Sequence, residues 1–209
     1  MKTKNGLTIS LSNQKLGSFI PSVNLPPIIT CRACAPCAKN CYACKGHFIY
    51  KNVKQSHADN LTAYRTNKDG YFQDVIDFLK NGLVTYKFFR WHSSGDIVDA
   101  DYFAGVVKVA EICKDTRFLI FTKKFEIVNE FLENNGGELP CNLSVVFSAW
   151  DKDFDVPNPY ALPVAYVDFK DKDKNAEIPV TAFRCKGNCE NCLTCWNIHK
   201  GQATVFNQH

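Results

Sequence analysis

Long apolar runs are missing from these 209 residues. None approaches the roughly 20 residues that a membrane helix needs, which argues against a helical membrane protein. The opening MKTKNGLTIS also lacks the apolar core of a signal peptide, so the expected location is the cytoplasm. Gly/Ser tracts and blocks of like charge are absent, which excludes a low-complexity or disordered chain. No internal repeat or linker divides the sequence, so one domain over residues 1–209 is expected, long enough for a substantial core. The net charge of +4 is too small to indicate nucleic acid by itself.

Cysteine, by contrast, is abundant and unevenly placed. Nine of the eleven fall in two short windows near opposite ends of the chain. The first, CRACAPCAKNCYAC, carries Cys31, Cys34, Cys37, Cys41 and Cys44. The second, CKGNCENCLTC, carries Cys185, Cys189, Cys192 and Cys195. Gaps of two or three residues recur seven times across these windows, and such gaps let several thiolates turn toward one small centre. In a reducing cytoplasm, clustered cysteines bind metal more often than they pair as disulfides.

The spacing Cys31-x2-Cys34-x2-Cys37-x3-Cys41 is that of the bacterial ferredoxin run. Tyr42 replaces the proline that follows the fourth cysteine there, so a ferredoxin fold does not follow. The second run has four thiols and can close one [4Fe–4S] cluster. Three arrangements stay open: a four-thiolate cluster at each end, an open three-thiolate cluster plus a closed one, or a cluster that shares ligands from both runs. Zinc is the alternative metal, with Cys31, Cys34, Cys41 and Cys44 as one Cys₄ site and the C-terminal run as another. Iron–sulfur is favoured because the first run leaves no room for two separate zinc knuckles. Cys113 falls on an apolar helix face and reads as a core thiol; Cys141 is isolated.

Between the cysteine windows, helix and strand patterns alternate. Helices are expected over 53–66 and 71–79, after Asp99 as N-cap, and from Phe125 to a stop at 134–137. Strands are expected at 84–92, 117–121, 143–150, 163–169 and 178–184, with an extended lead-in over 1–30. The pattern predicts an α/β fold with a parallel sheet, a partial (β/α) barrel, in which chemistry gathers beyond the C-terminal ends of the strands. Arg90, His92, Gly95, Asp96, Lys123, Ser148 and Trp150 lie at those ends, and the last strand leads into Cys185. Both cysteine loops are therefore expected on that rim. Arg90, His92 and Asp96 form its densest polar group, suited to binding an anion or a cofactor, with Arg90 on a carboxylate or phosphate. The same residues also fit a structural role, with Asp96 capping the next helix and Arg90 paired to it. Lys123 suits an anion or plain solvent. His47, His57, His199 and His209 are scattered and fit surface or core better than metal ligation. Trp196, beside Cys195, suits packing and the exclusion of water from a cluster.

Four motifs in order carry a family resemblance: Cys31-x5-Cys37-x3-Cys41-Tyr42-Ala43, then Arg90-Trp91-His92-Ser93-Ser94-Gly95-Asp96, then Phe121-Thr122-Lys123, and Cys189-x2-Cys192-x2-Cys195-Trp196. Together they resemble the bacteriophage family called gene product 88-like, over about residues 20–205. The resemblance implies a phage or prophage protein in a bacterial cytoplasm, with cysteines suited to iron–sulfur binding and no settled activity. Cys34 and Cys44 are additional to the family pattern. More distantly, Cys37-x3-Cys41-x2-Cys44 is similar to the cluster loop of the radical S-adenosylmethionine superfamily. That similarity implies an open cluster iron for S-adenosylmethionine and a cofactor-holding role for Gly95 and Asp96. An aromatic usually precedes the third cysteine there, whereas this chain has Ala43. Two functions follow: an iron–sulfur protein in a structural, redox or electron-transfer role, or a radical enzyme with an auxiliary C-terminal cluster. Neither defines a substrate or host partner.

Overall fold

The computed structural model describes residues 1–32 and 35–208; Cys34 and His209 lie outside them. Eight strands form one sheet. They are β1 Ile9–Ser10, β2 Ser22–Val23, β3 Phe88–Trp91, β4 Arg117–Thr122, β5 Leu143–Ser148, β6 Val164–Asp168, β7 Phe183–Arg184 and β8 Ala203–Asn207. Their order is β1-β2-β3-β4-β5-β6-β8-β7. Only β1 runs antiparallel to its neighbour; every other pairing is parallel. Four helices, α1 Lys51–Thr66, α2 Lys68–Asn81, α3 Ala100–Ile112 and α4 Phe125–Asn134, alternate with the early strands. The expected α/β fold and mostly parallel sheet are observed. No helix among the described residues is long and apolar enough to cross a membrane.

The helix ends follow local chemistry. Asp99 caps α3, accepting from the Tyr102 amide at 2.8 Å, and Asn67 caps α2 by accepting from the Gly70 amide at 2.9 Å. Such caps satisfy donors that the first turn leaves unpaired and contribute about 1 kcal/mol each. Gly136 and Gly137 take φ values of 74° and 76° after α4, the left-handed geometry that ends a helix at little cost.

Strand alternation divides the apolar residues between two faces. Phe89, Trp91, Phe118, Ile120, Val145 and Phe147 point to the face that the helices cover, where they meet Tyr71, Tyr102, Val106, Phe125 and Val128. Leu119, Val146 and Ala165 point to the opposite face. There they pack against Leu16 and Ile20 from the N-terminal segment and Trp196 and Ile198 from the C-terminal segment. Among the described residues the second face therefore has no α-helix on it; two mostly irregular segments cover it, with one 3₁₀ turn at Thr194–Trp196. Trp196 is the anchor, its Nε1 donating to the Phe89 carbonyl at 3.0 Å and its ring edge-on to Phe88.

Two expectations need correction, and one strand was missed. The strand predicted over 84–92 starts only at Phe88, and Val84 is exposed. The strand predicted over 178–184 shrinks to Phe183–Arg184 at the sheet edge, with Val180 fully exposed; Pro179, without an N–H, cannot extend the ladder. Strand β8, inserted between β6 and the edge strand β7, was not predicted. Substituting Phe147, fully buried against Phe125 at a ring separation of 4.9 Å, tests the core. Phe147→Ala is expected to lower unfolding stability by about 3–5 kcal/mol in urea titrations.

Candidate metal centre

The polar group predicted at the end of β3 is split by the backbone. Arg90 faces the helix-free side, where its guanidinium lies 4.8 Å from the Phe121 ring centroid. Simple alternation would put His92 on that same side. His92 instead has φ 59°, and its Nε2 meets the Tyr102 hydroxyl of α3 at 2.9 Å. The left-handed backbone cancels the alternation, so Arg90 and His92 serve opposite faces. Asp96 neither caps α3 nor pairs with Arg90. Its Oδ1 accepts from the Ile97 amide at 2.8 Å and its Oδ2 from the Lys123 amide at 2.9 Å. The Asp96 amide in turn donates to Thr30 Oγ1 at 3.0 Å. Asp96 thus ties the turn after β3 to the end of β4 and to the loop that leads into Cys31.

Gly95 is required there. Its φ is +84°, and a Cβ would stand 2.7 Å from both Leu25 Cβ and Thr30 Oγ1. Lys123 is half-buried, with Nζ 5.9 Å from the Trp150 ring centroid. Ser148 is half-buried at the end of β5.

The N-terminal cysteine loop folds into short 3₁₀ turns at Pro36–Asn40, Tyr42–Cys44 and Gly46–Ile49. It sits beyond the end of β3, as expected, where the Tyr42 hydroxyl donates to the Ser93 carbonyl at 2.6 Å. Cys31 lies within electrostatic reach of Cys37, Cys41 and Asp96. Cys44 and Cys37 are near enough to Cys41 to oppose its ionisation, after burial itself.

The C-terminal run starts at the rim with Cys185, directly after β7, and then crosses the helix-free face instead of staying on the rim. The Cys189 amide donates to the Lys15 carbonyl at 2.9 Å, and Ser144 Oγ donates to the Trp196 carbonyl at 3.2 Å. Cys185, Cys189, Cys192 and Cys195 line one open cleft together with Arg90, Leu119, Phe121 and Thr204. Cys113 is buried in the helix-side core, as predicted for a packing thiol, and Cys141 is exposed. His57 is buried in α1, while His47 and His199 lie at the surface.

All ten described cysteines are free thiols. Among the described residues no three His, Cys, Asp or Glu side chains converge on a single ion position. The two runs nevertheless share a local device: backbone amides turned toward sulfur. The Gly187 amide donates to Cys185 Sγ at 3.4 Å. Near Cys31, Cys41 and Cys192 the backbones of Ile28, Ala43 and Thr194 act to lower the thiol pKa. Three of the four described non-glycine residues with positive φ, namely Ile28, His92 and Leu193, adjoin these sites. For β-branched Ile28, at φ 67°, this is a strained geometry that the surroundings must hold.

Burial opposes ionisation. It pushes the Cys31 thiol up to about 11, with the Asp96 carboxylate adding to the rise and the Ile28 amide working against it. Burial likewise pushes Cys195 up to about 11, opposed by Arg90. Cys189 is raised by burial against the pull of Arg90 and Lys15. Cys192 is lowered, chiefly by the Thr194 hydroxyl, whose oxygen lies 3.1 Å from its sulfur. These thiols are thus surrounded by groups that accommodate negative sulfur in a place that otherwise disfavours it.

The sequence profile of the family described as Gene product 88 matches residues 1–198. The chain belongs to that family. No curated protein and no solved structure matches it. The family match supports the phage-family resemblance; nothing in the comparisons supports the similarity to the radical S-adenosylmethionine superfamily. In this Gene product 88 member the amide-facing cysteines and Arg90 were legible as motifs. Ile28, Lys15, Thr194 and Thr204 were not, because nothing in their local sequence marks them as neighbours of sulfur.

His92 provides a pH test of this packing. Burial, with Arg90 adding to it, lowers its pKa from 6.5 to about 3, so the folded chain holds it neutral. The unfolded chain binds that proton more readily. The contribution is therefore complete above about pH 6.5 and is lost as pH falls toward 3. Asp96 works oppositely, since burial raises its carboxyl above 3.8. His92→Gln is expected to flatten the decline of the urea midpoint of metal-free protein between pH 6.5 and 4, roughly the upper part of that window; an unchanged decline would remove His92 from this role.

Proposed function

We propose that this chain is an iron–sulfur protein that holds up to two [4Fe–4S] clusters, one on each cysteine run, in a structural, redox or electron-transfer role. The observation that carries this reading is the ring of four thiols, Cys185, Cys189, Cys192 and Cys195, around one cleft, with the Gly187 amide donating to Cys185 Sγ at 3.4 Å. Amide donors stabilise thiolates and tune the potential of iron–sulfur centres. A plain core thiol such as Cys113 has no such donor among the described residues.

The donor set fits the group. Four thiols ring the C-terminal cleft without meeting at one point. A cluster places its irons at separate corners and so takes thiolates spaced more widely than a single zinc ion, which holds four sulfurs at about 2.3 Å. Cys185, Cys189, Cys192 and Cys195 would hold one cluster. Cys31, Cys37, Cys41 and Cys44, with Cys34 outside the described residues, are the candidates for the other. A bound cluster would supply one-electron transfer. Trp196, which is 3% exposed, would keep water from one side of the C-terminal site, and the Gly95–Asp96 turn would fix the loop that carries Cys31. The family relationship adds a phage or prophage origin and, with it, a bacterial cytoplasm as the place of action.

Metal analysis of anaerobically purified protein tests the reading. About eight irons with matching sulfide per chain are expected. Cys189→Ser with Cys195→Ser should remove about half, and Cys37→Ser with Cys41→Ser the other half. Zinc alone, at about two per chain, would replace this function with that of a zinc-stapled binding module.

A further inference from the structure

Arg90 is the one charged side chain in the helix-free face whose position has no explanation in the packing. It is 9% exposed, and its Nε is buried with no hydrogen-bond partner. Among the described residues its guanidinium makes no hydrogen bond or ion pair; it lies instead over the Phe121 ring, 4.8 Å from the centroid. A buried cation without an anion is costly, because burial strips its water and nothing replaces it. The neighbours supply no acid: the cleft is lined by Lys15, Arg184 and Lys186 together with the four cysteines, and no Asp or Glu. Arg184 is already paired with Asp168 at 3.0 Å. What the cleft does offer is sulfur.

We propose that Arg90 is the internal counter-cation of the C-terminal cysteine site: it balances the negative charge of the four thiolates around a cluster and raises the reduction potential of that centre. The inference rests on the iron–sulfur reading above. Four thiolates outweigh the positive charge of a cubane core, so a loaded site would be a net anion in the cleft that Arg90 lines. Taking up one electron from a one-electron reductant, dithionite in the assay, adds a further negative charge and needs no proton. A fixed cation beneath the site favours that reduced form, and it cannot deprotonate to escape its burial. The Phe121 ring holds the guanidinium in place through its negative face while leaving the N–H groups free for sulfur.

The two forms of the protein should respond to Arg90→Met in opposite directions. In the metal-free chain the substitution removes an unpaired buried charge, and the melting temperature should rise. In the loaded chain it removes the counter-charge. At a fixed applied potential the ratio of reduced to oxidised C-terminal cluster should fall about tenfold, equivalent to about 59 mV for a one-electron couple, and a chelator should strip iron several-fold faster. Arg90→Lys keeps the charge and should stay near wild type in both loaded measurements. An unchanged potential and stripping rate in Arg90→Met would overturn the proposal, as would an Arg90→Lys that behaves like Arg90→Met. A metal-free Arg90→Met that fails to fold would also count against it. If wild-type protein takes up no iron when reconstituted anaerobically with iron and sulfide, the iron–sulfur reading falls and this inference falls with it. If the wild type is loaded and the variants match it, this inference falls alone.

Discussion

A parallel sheet has to be covered on both faces, and in this protein the second cover is cysteine-rich. Helices α1 to α4 bury one face in the usual way. The other face presents Leu119, Val146 and Ala165, and it is closed by Leu16, Ile20, Trp196 and Ile198 from two segments whose cover here contains no α-helix among the described residues. Because the cysteines of the C-terminal run are threaded through that cover, packing and the proposed metal chemistry are bound together. Trp196 can reach the Phe89 carbonyl only if the chain between Cys185 and Cys195 is compact. A centre on those four thiols would hold that stretch compact without a helix.

The same arrangement accounts for the electrostatics. Thiols placed against an apolar sheet are pushed toward the neutral form, and Cys195 shows it. Amides from Gly187 and Thr194, the Thr194 hydroxyl and the Arg90 guanidinium all act in the opposite sense. At the other end of β3, the Asp96 bridge and Gly95 hold the approach to Cys31. One short strand therefore serves both cysteine sites, with Arg90 beneath one and the turn after His92 beside the other.

Much of this was legible in the sequence where the signal was periodic or local. The helices from Val53, Tyr71, after Asp99 and from Phe125 carried amphipathic stripes, and β4 to β6 carried dense β-branched and aromatic runs. The cysteine windows stood out by spacing alone. What was missed has physical causes. Strand β8 is five residues in a terminal segment, and its central place depends on pairing with β6 and β7. The strand predicted before Phe183 failed because Pro179 and an edge position leave 178–182 nothing to pack on. The Arg90–His92–Asp96 group dissolved into three roles because a left-handed residue at His92 breaks alternation, and no rule reads such a residue from a histidine. The descent of the C-terminal run from the rim onto the sheet depended on which face was left bare, which local sequence does not record.

The central claim is that sulfur ligates iron on this helix-free face. X-ray absorption at the iron and zinc edges of the anaerobically purified protein tests it most directly. The account predicts iron in an all-sulfur environment with further irons as near neighbours, and little zinc. Zinc surrounded by four sulfurs at about 2.3 Å, with no iron signal, would contradict it.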